Sequence, residues 1–79
     1  MNISNKEKLV ELVSMIFEFE DMPELKEIRQ SNMKNWDSMM IANLVLAVES
    51  EFNVSISNTE YEEFTSFLQI EAILDEKGI

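Results

Sequence analysis

The chain has one glycine and one proline among its 79 residues, and this scarcity is the feature that most limits how it can fold. A β-rich protein of this length needs many tight turns, which depend on those two residues. Apolar residues recur instead at helical spacing. We therefore predict an all-α fold, a small four-helix bundle that forms one domain over residues 1–79. It should contain three main helices, one short helix, and a long loop between helices 1 and 2.

The first predicted helix starts at Ser4–Glu7, a sequence that matches a capping box. Apolar residues then follow at helical spacing as far as Glu20, where we expect this helix to end. Residues 21–36 should form the long loop. A loop of this length in a small domain needs anchoring, so we expect its apolar side chains to pack on the core. These side chains are Leu25, Ile28, Met33 and Trp36.

The second predicted helix starts at Asp37 or Ser38 and runs to about Phe52, because either side chain is a good N-cap. Trp36 is then placed to pack on Ile41 as a hydrophobic staple. The helix is apolar around most of its circumference, which predicts cover on more than one side. In so small a domain, we expect part of that cover to come from a partner or a ligand.

Two further helices are predicted, and each has a serine at its start. Ser57 begins a second capping-box pattern, which predicts a short helix over residues 58–63. Ser66 is the predicted start of the last helix, which should end before Gly78.

The composition excludes several kinds of chemistry. The chain has no cysteine and no histidine, so it lacks a disulfide framework, a catalytic thiol and the commonest general base. Nucleophilic chemistry would have to run on serine, lysine or carboxylates alone. We therefore expect neither an independent enzyme nor a metal centre.

The charge is strongly acidic, with a formal net value of −10. Residues 38–79 carry most of it, with one basic and eight acidic residues. Nucleic acid and anionic membrane surfaces are disfavoured as partners because both require basic residues. A protein partner with a basic surface fits this charge. No apolar run is long enough to span a membrane, so we expect a soluble, monomeric, cytoplasmic protein.

The most informative stretch is Asp37-Ser38-Met39, at the start of an apolar helix that ends in Glu49-Ser50-Glu51-Phe52-Asn53. Val54 and Ile56 follow. This combination resembles the acyl carrier protein family, whose pattern is Asp-Ser-Leu before a helix that ends in acids and phenylalanine. The resemblance covers essentially the whole chain, since the helix order and the long first loop also match.

The resemblance implies that Ser38 Oγ carries 4′-phosphopantetheine, which a separate phosphopantetheinyl transferase takes from coenzyme A with magnesium. The modified chain is then a phosphoprotein, and an acyl cargo is held as a thioester on the arm's thiol. Asp37 would support attachment by helping to hold the transferase's metal. A phosphodiester at a helix start also lies near unpaired N–H groups and the positive end of the helix dipole.

Departures from the family pattern bear on the expected partners. Met39 replaces the usual leucine, and Asn35 stands where glycine is common. Met40 and Asn43 occupy positions that are often acidic in fatty-acid carriers. We therefore expect acyl-processing partners with apolar or basic docking patches, in fatty-acid or polyketide biosynthesis and in a specialised rather than housekeeping fatty-acid pathway. The predicted partner-binding residues are Met40, Asn43, Ala47, Glu49 and Glu60.

We also predict a cargo pocket among the helices, from apolar position alone. Its predicted lining is Met39, Ile41, Leu44, Val45 and Ile70. Of the methionines, Met15, Met33 and Met39 should fill the core, and Met40 should be exposed.

A second hypothesis comes from a different class of protein. Small, strongly acidic helical proteins also act as inhibitors that cover a basic enzyme, as bacterial immunity proteins do. Size and charge fit that role equally well. Ser38 and Asp37 would then serve only to cap a helix.

Overall fold

The computed structural model describes all 79 residues and contains four helices and no β-strands. Helix α1 spans Ile3–Phe17, α2 Ser38–Phe52, α3 Asn58–Glu62 and α4 Phe67–Glu76. The predicted all-α architecture, with one short helix and a long first connection, is confirmed. No helix in the structure is both long enough and apolar enough to cross a bilayer.

Both predicted ends of α1 were wrong. The helix starts at Ile3 because Asn2, not Ser4, is the N-cap, and Asn2 Oδ1 accepts a hydrogen bond from the Asn5 N–H at 2.7 Å. It ends at Phe17 instead of Glu20. Glu18 adopts the left-handed conformation with a φ of 56°, which turns the chain out of the helix.

Helices α1, α2 and α4, the first connection and the α3–α4 connection supply one hydrophobic core, on which α3 packs through the half-buried Tyr61. Its 14 buried residues are all apolar. α1 and α4 supply eight of them, so the apolar faces of these two helices are the larger part of the interior. The buried set is Leu9, Leu12, Val13, Phe17, Ile28, Trp36, Leu44, Val45, Val48, Phe64, Phe67, Ile70, Ile73 and Leu74.

The connection between α1 and α2 is anchored as predicted. It contains two single 3₁₀ turns, at Leu25–Glu27 and Gln30–Asn32. Ile28 and Trp36 are buried, and Leu25 and Met33 pack on the core while half-buried. These contacts hold a long connection that contains no α-helix or β-strand.

Three predicted helix starts are confirmed. Asp37 caps α2, Ser57 and Glu60 form a complete capping box at α3, and Ser66 caps α4. Gly78, with a φ of +82°, lies just beyond the end of α4. α3 is one residue shorter than predicted, because its last helical residue is Glu62.

The predicted placement of the methionines was partly wrong. Met15 and Met39 are 68% and 74% exposed rather than buried, whereas Met40 is half-buried against the core. The buried face of α2 is centred on Leu44, Val45 and Val48. Met40 lies four residues before Leu44 and shares that face, and Met39 is turned away by one residue step of about 100°.

Candidate functional site

The start of α2 is organised by Asp37. Its Oδ1 accepts a hydrogen bond from the Met40 N–H at 2.9 Å, and its carbonyl accepts the first helical bond from the Ile41 N–H at 3.0 Å. A carboxylate is well suited to this position because it also interacts favourably with the positive end of the helix dipole. The capping role at this helix therefore belongs to Asp37.

Ser38 is the first residue inside the helix and is exposed. Since the cap bond goes to Asp37, the Ser38 hydroxyl takes no part in it. The N–H groups of Ser38 and Met39 belong to the first helical turn and have no carbonyl partner within the helix. An exposed hydroxyl thus lies beside two backbone donors, an environment that suits an attached phosphate.

Trp36 precedes this pair and is almost completely buried, with 3% of its surface exposed. Its ring packs against Phe17 with centroids 5.0 Å apart, and its indole N–H donates to the Phe64 carbonyl at 3.1 Å. The Trp36 carbonyl accepts a hydrogen bond from Gln30 Nε2 at 2.9 Å. The sequence indicated packing for Trp36, but it gave no signal for the Phe64 or Gln30 contacts.

The outward face of α2 carries no charge. It presents Met39, Asn43, Leu46 and Ser50, which recur at helical spacing and are exposed. Leu46 is 65% exposed and lies seven residues, about two turns, beyond Met39. Leu46 was not among the predicted partner-binding residues, although its i+7 spacing from Met39 was a usable signal.

The predicted partner-binding residues differ in what their side chains do. Asn43 is exposed, and Met40 and Ala47 are half-buried. The Glu49 carboxylate accepts a hydrogen bond from the Ile56 N–H at 3.0 Å, which ties the α2–α3 connection to α2. Glu60 belongs to the capping box of α3 and pairs with Lys77 Nζ at 2.8 Å. Both glutamates therefore have roles within the fold.

The Glu60 carboxylate has a pKa below its ordinary value of 4.5. The Lys77 ammonium is the main cause, and the hydrogen bond from the Ser57 N–H adds to it. Both contacts stabilise the charged form.

The predicted cargo-pocket residues are not on one surface. Leu44 and Ile70 are fully buried, Val45 is 6% exposed, Ile41 is half-buried, and Met39 lies on the outside of α2. The two surface cavities lie elsewhere. One is on α1 around Ile3 and Val10, and the other is between α1 and Glu51.

Comparisons with protein-family models, with curated proteins and with solved structures found no match to this chain. A function for this chain can therefore be inferred only from its residues and from the geometry at the start of α2.

Proposed function

We propose that this chain is an acyl carrier protein that presents cargo on a phosphopantetheine arm attached to Ser38. The observation that carries the proposal is that Asp37 caps α2 while the exposed Ser38 hydroxyl, one residue later, takes no part in the cap. The Ser38 hydroxyl is therefore free of the capping role that the alternative hypothesis assigns to it. The resemblance of Asp37-Ser38-Met39 and its downstream helix to acyl carrier proteins supports the same reading.

The environment of Ser38 fits the proposed group. An attached phosphodiester is anionic, and the first turn of α2 offers unpaired N–H groups and the positive end of a fifteen-residue helix. Asp37 is the nearby acid, and its capping bond to Met40 uses one of its two oxygens. The other oxygen is available to a magnesium ion held by a transferase, since magnesium prefers such oxygen ligands.

Attachment is a phosphoryl transfer to the Ser38 hydroxyl. The bond from Ser38 Oγ to the phosphorus of 4′-phosphopantetheine forms while the pyrophosphate linkage of coenzyme A breaks. Adenosine bisphosphate leaves, and the hydroxyl proton passes to a base of the transferase. The arm supplies a thiol for thioester chemistry, and the chain positions it for other enzymes by raising the effective concentration of cargo.

The outward face of α2 supports an apolar mode of docking. An enzyme that reaches Ser38 must cover the neighbouring surface, and that surface presents the apolar side chains of Met39 and Leu46 alongside the exposed carboxylate of Asp37. Apolar contacts are insensitive to salt, whereas opposite charges across an interface are screened by it.

The KM for attachment is the KM of the phosphopantetheinyl transferase for this protein as its substrate. We expect it to change less than about threefold between about 0.1 M and 1 M NaCl, where the Debye length falls from roughly 10 Å to 3 Å. Leu46→Ala should raise the KM, and Leu68→Ala, which removes a comparable exposed leucine from α4, should leave it unchanged. A KM that climbs steeply with salt in the wild-type protein would argue for charged docking instead.

The interior supports the cargo proposal less directly. Leu44, Val45 and Ile70 provide apolar surface in the core, but they are in contact with other side chains rather than with an open space. We propose that cargo reaches this surface only when the helices separate.

The second candidate function is an acidic inhibitor of a basic enzyme. The observation that favours it is the net charge of −10, with most of the acid in residues 38–79. Charge of this kind accelerates association with a basic partner. On this hypothesis the Ser38 hydroxyl has no chemical role.

One experiment separates the two candidates. The protein is incubated with coenzyme A, magnesium and a promiscuous phosphopantetheinyl transferase, and its intact mass is measured. A carrier gains the mass of one arm. Ser38→Ala should abolish the gain, whereas Ser57→Ala and Ser66→Ala, which alter serines at other helix starts, should still be modified. A wild-type chain that stays unmodified with several such transferases would favour the inhibitor.

A further inference from the structure

Trp36 joins the start of α2 to three separate parts of the molecule. Its ring packs on Phe17 of α1, its indole N–H donates to the Phe64 carbonyl between α3 and α4, and its carbonyl accepts from Gln30 in the first connection. The ring and the indole nitrogen are almost fully buried.

The segments that hold Trp36 are also bonded to one another. The Gln30 N–H donates to the Thr65 carbonyl at 2.8 Å, and the Phe67 N–H donates to the Ile28 carbonyl at 2.8 Å. The first connection and the α3–α4 connection thus form a hydrogen-bonded seam. Trp36 is fixed to this seam through Phe64 and Gln30.

Ser38 is two residues beyond Trp36, a distance of at most about 7 Å between Cα atoms. The intervening residue, Asp37, is itself held by its cap bond to Met40. The backbone that sets the direction of the Ser38 hydroxyl is therefore fixed on both sides, by the Trp36 anchor before it and by the cap after it.

We infer that Trp36 is a positioning residue for Ser38, which it holds in an accessible orientation through its bonds to Phe64 and Gln30. The inference depends on the proposed function because the atom being positioned matters only if it is modified. Loosening the anchor lowers the fraction of molecules whose Ser38 is correctly presented. A lower competent fraction raises the apparent KM for attachment and leaves kcat unchanged.

Gln30→Ala is the first test because it removes the bond to the Trp36 carbonyl without removing a core side chain. We expect the KM for attachment to rise by at most about fivefold, the full factor that corresponds to one hydrogen bond, with kcat unchanged. The matched control is Asn32→Ala, which removes the hydrogen bonds from Asn32 Nδ2 to the Glu27 carbonyl and carboxylate in the same connection and should leave the KM unchanged.

Native-state hydrogen exchange provides a readout that needs no transferase. The Ile41 N–H donates to the Asp37 carbonyl and reports opening at the start of α2. Gln30→Ala should speed its exchange about fivefold, whereas amides in the middle of α4 should be unaffected. Equal exchange in the variant and the wild type would overturn the inference.

Trp36→Phe is the second test because it keeps an aromatic ring against Phe17, deletes the donor to Phe64 and leaves a smaller side chain in the core, a loss of packing that needs a control. We expect it to raise the KM more than Val13→Ala does, a core substitution on α1 that also lowers stability. Equal KM values for these two folded variants would mean that Trp36 acts only through stability, which overturns the inference. Failure of the wild type to be modified would instead reject the proposed function, and the exchange measurement would still decide whether the anchor fixes the helix start.

Discussion

A serine lies at the start of both α2 and α4, but the two serines have different roles. At α4, Ser66 precedes the helix and its Oγ accepts a hydrogen bond from the Gln69 N–H at 3.0 Å. At α2, Ser38 lies one position further in, and Asp37 accepts the equivalent bond from Met40 at 2.9 Å. The same residue type therefore caps one helix and is left exposed without that role at the other.

A shift of one residue in the cap explains the difference. The side-chain oxygen of an N-cap residue accepts a hydrogen bond from the N–H two or three residues later, which removes one unpaired donor. A residue at the first helical position points away from that donor. Asp37 thus satisfies the backbone of α2, and the Ser38 hydroxyl is available for other chemistry.

The largest stability effect that tests this comparison is loss of the cap itself. Asp37→Ala and Ser66→Ala should each lower the free energy of unfolding by about 1 kcal/mol, because each leaves a helix-start N–H without its acceptor. Urea unfolding followed by circular dichroism measures the change. In a chain of this length, that is a sizeable part of a total stability of roughly 5 kcal/mol.

Ser38→Ala is the matched substitution at the serine that does not cap its helix. We expect its effect on the free energy of unfolding to stay within about 0.5 kcal/mol, as for a surface position without a special contact. A loss equal to that of Ser66→Ala would show that the Ser38 hydroxyl also serves the helix, and the contrast between the two starts would then fail.

Local rules were sufficient for the starts of three helices. The caps at Asp37, Ser57 and Ser66 depend on side chains within three residues of the donors they satisfy, so spacing in the sequence predicted them. The capping box at Ser57 and Glu60 even formed with both of its bonds.

The same rules failed at both ends of α1, where two residues are good candidates for the N-cap and the helix ends at an unusual residue type. At α1, Asn2 and Ser4 are both good caps, and the sequence pattern does not decide between them. The end of α1 depends on Glu18 taking a left-handed conformation that favours glycine or asparagine, so its residue type gave no warning.

Contacts between distant segments were beyond prediction from spacing. Trp36 and Phe64 are 28 residues apart, and their hydrogen bond forms only after α3 and the first connection have packed together. The exposure of Met39 and the burial of Met40 likewise depend on the rotation of α2 against the core, which an almost uniformly apolar helix does not specify.

The smallest expected effect on stability concerns α3. Its start differs from those of α2 and α4 because the Glu60 carboxylate is held by two contacts. Glu60 accepts the Ser57 N–H at 2.9 Å and pairs with Lys77 at 2.8 Å, and these contacts lower its pKa. A carboxyl group whose pKa is depressed in the folded state contributes stability above its unfolded value of about 4.5, and that contribution is lost as pH falls through the lower folded value.

Lys77→Met should therefore reduce the loss of stability on acidification from neutral pH to below 4.5, because the ammonium is the main cause of the shift. Lys26→Met is the matched control: it makes the same change of charge at an exposed pair with Glu24, where screening by water leaves little interaction to lose. Urea midpoints at the two pH values give the comparison. If stability falls equally on acidification in the two variants, the Glu60–Lys77 pair is no stronger than an ordinary surface pair. Only the capping box would then distinguish the start of α3 from that of α2.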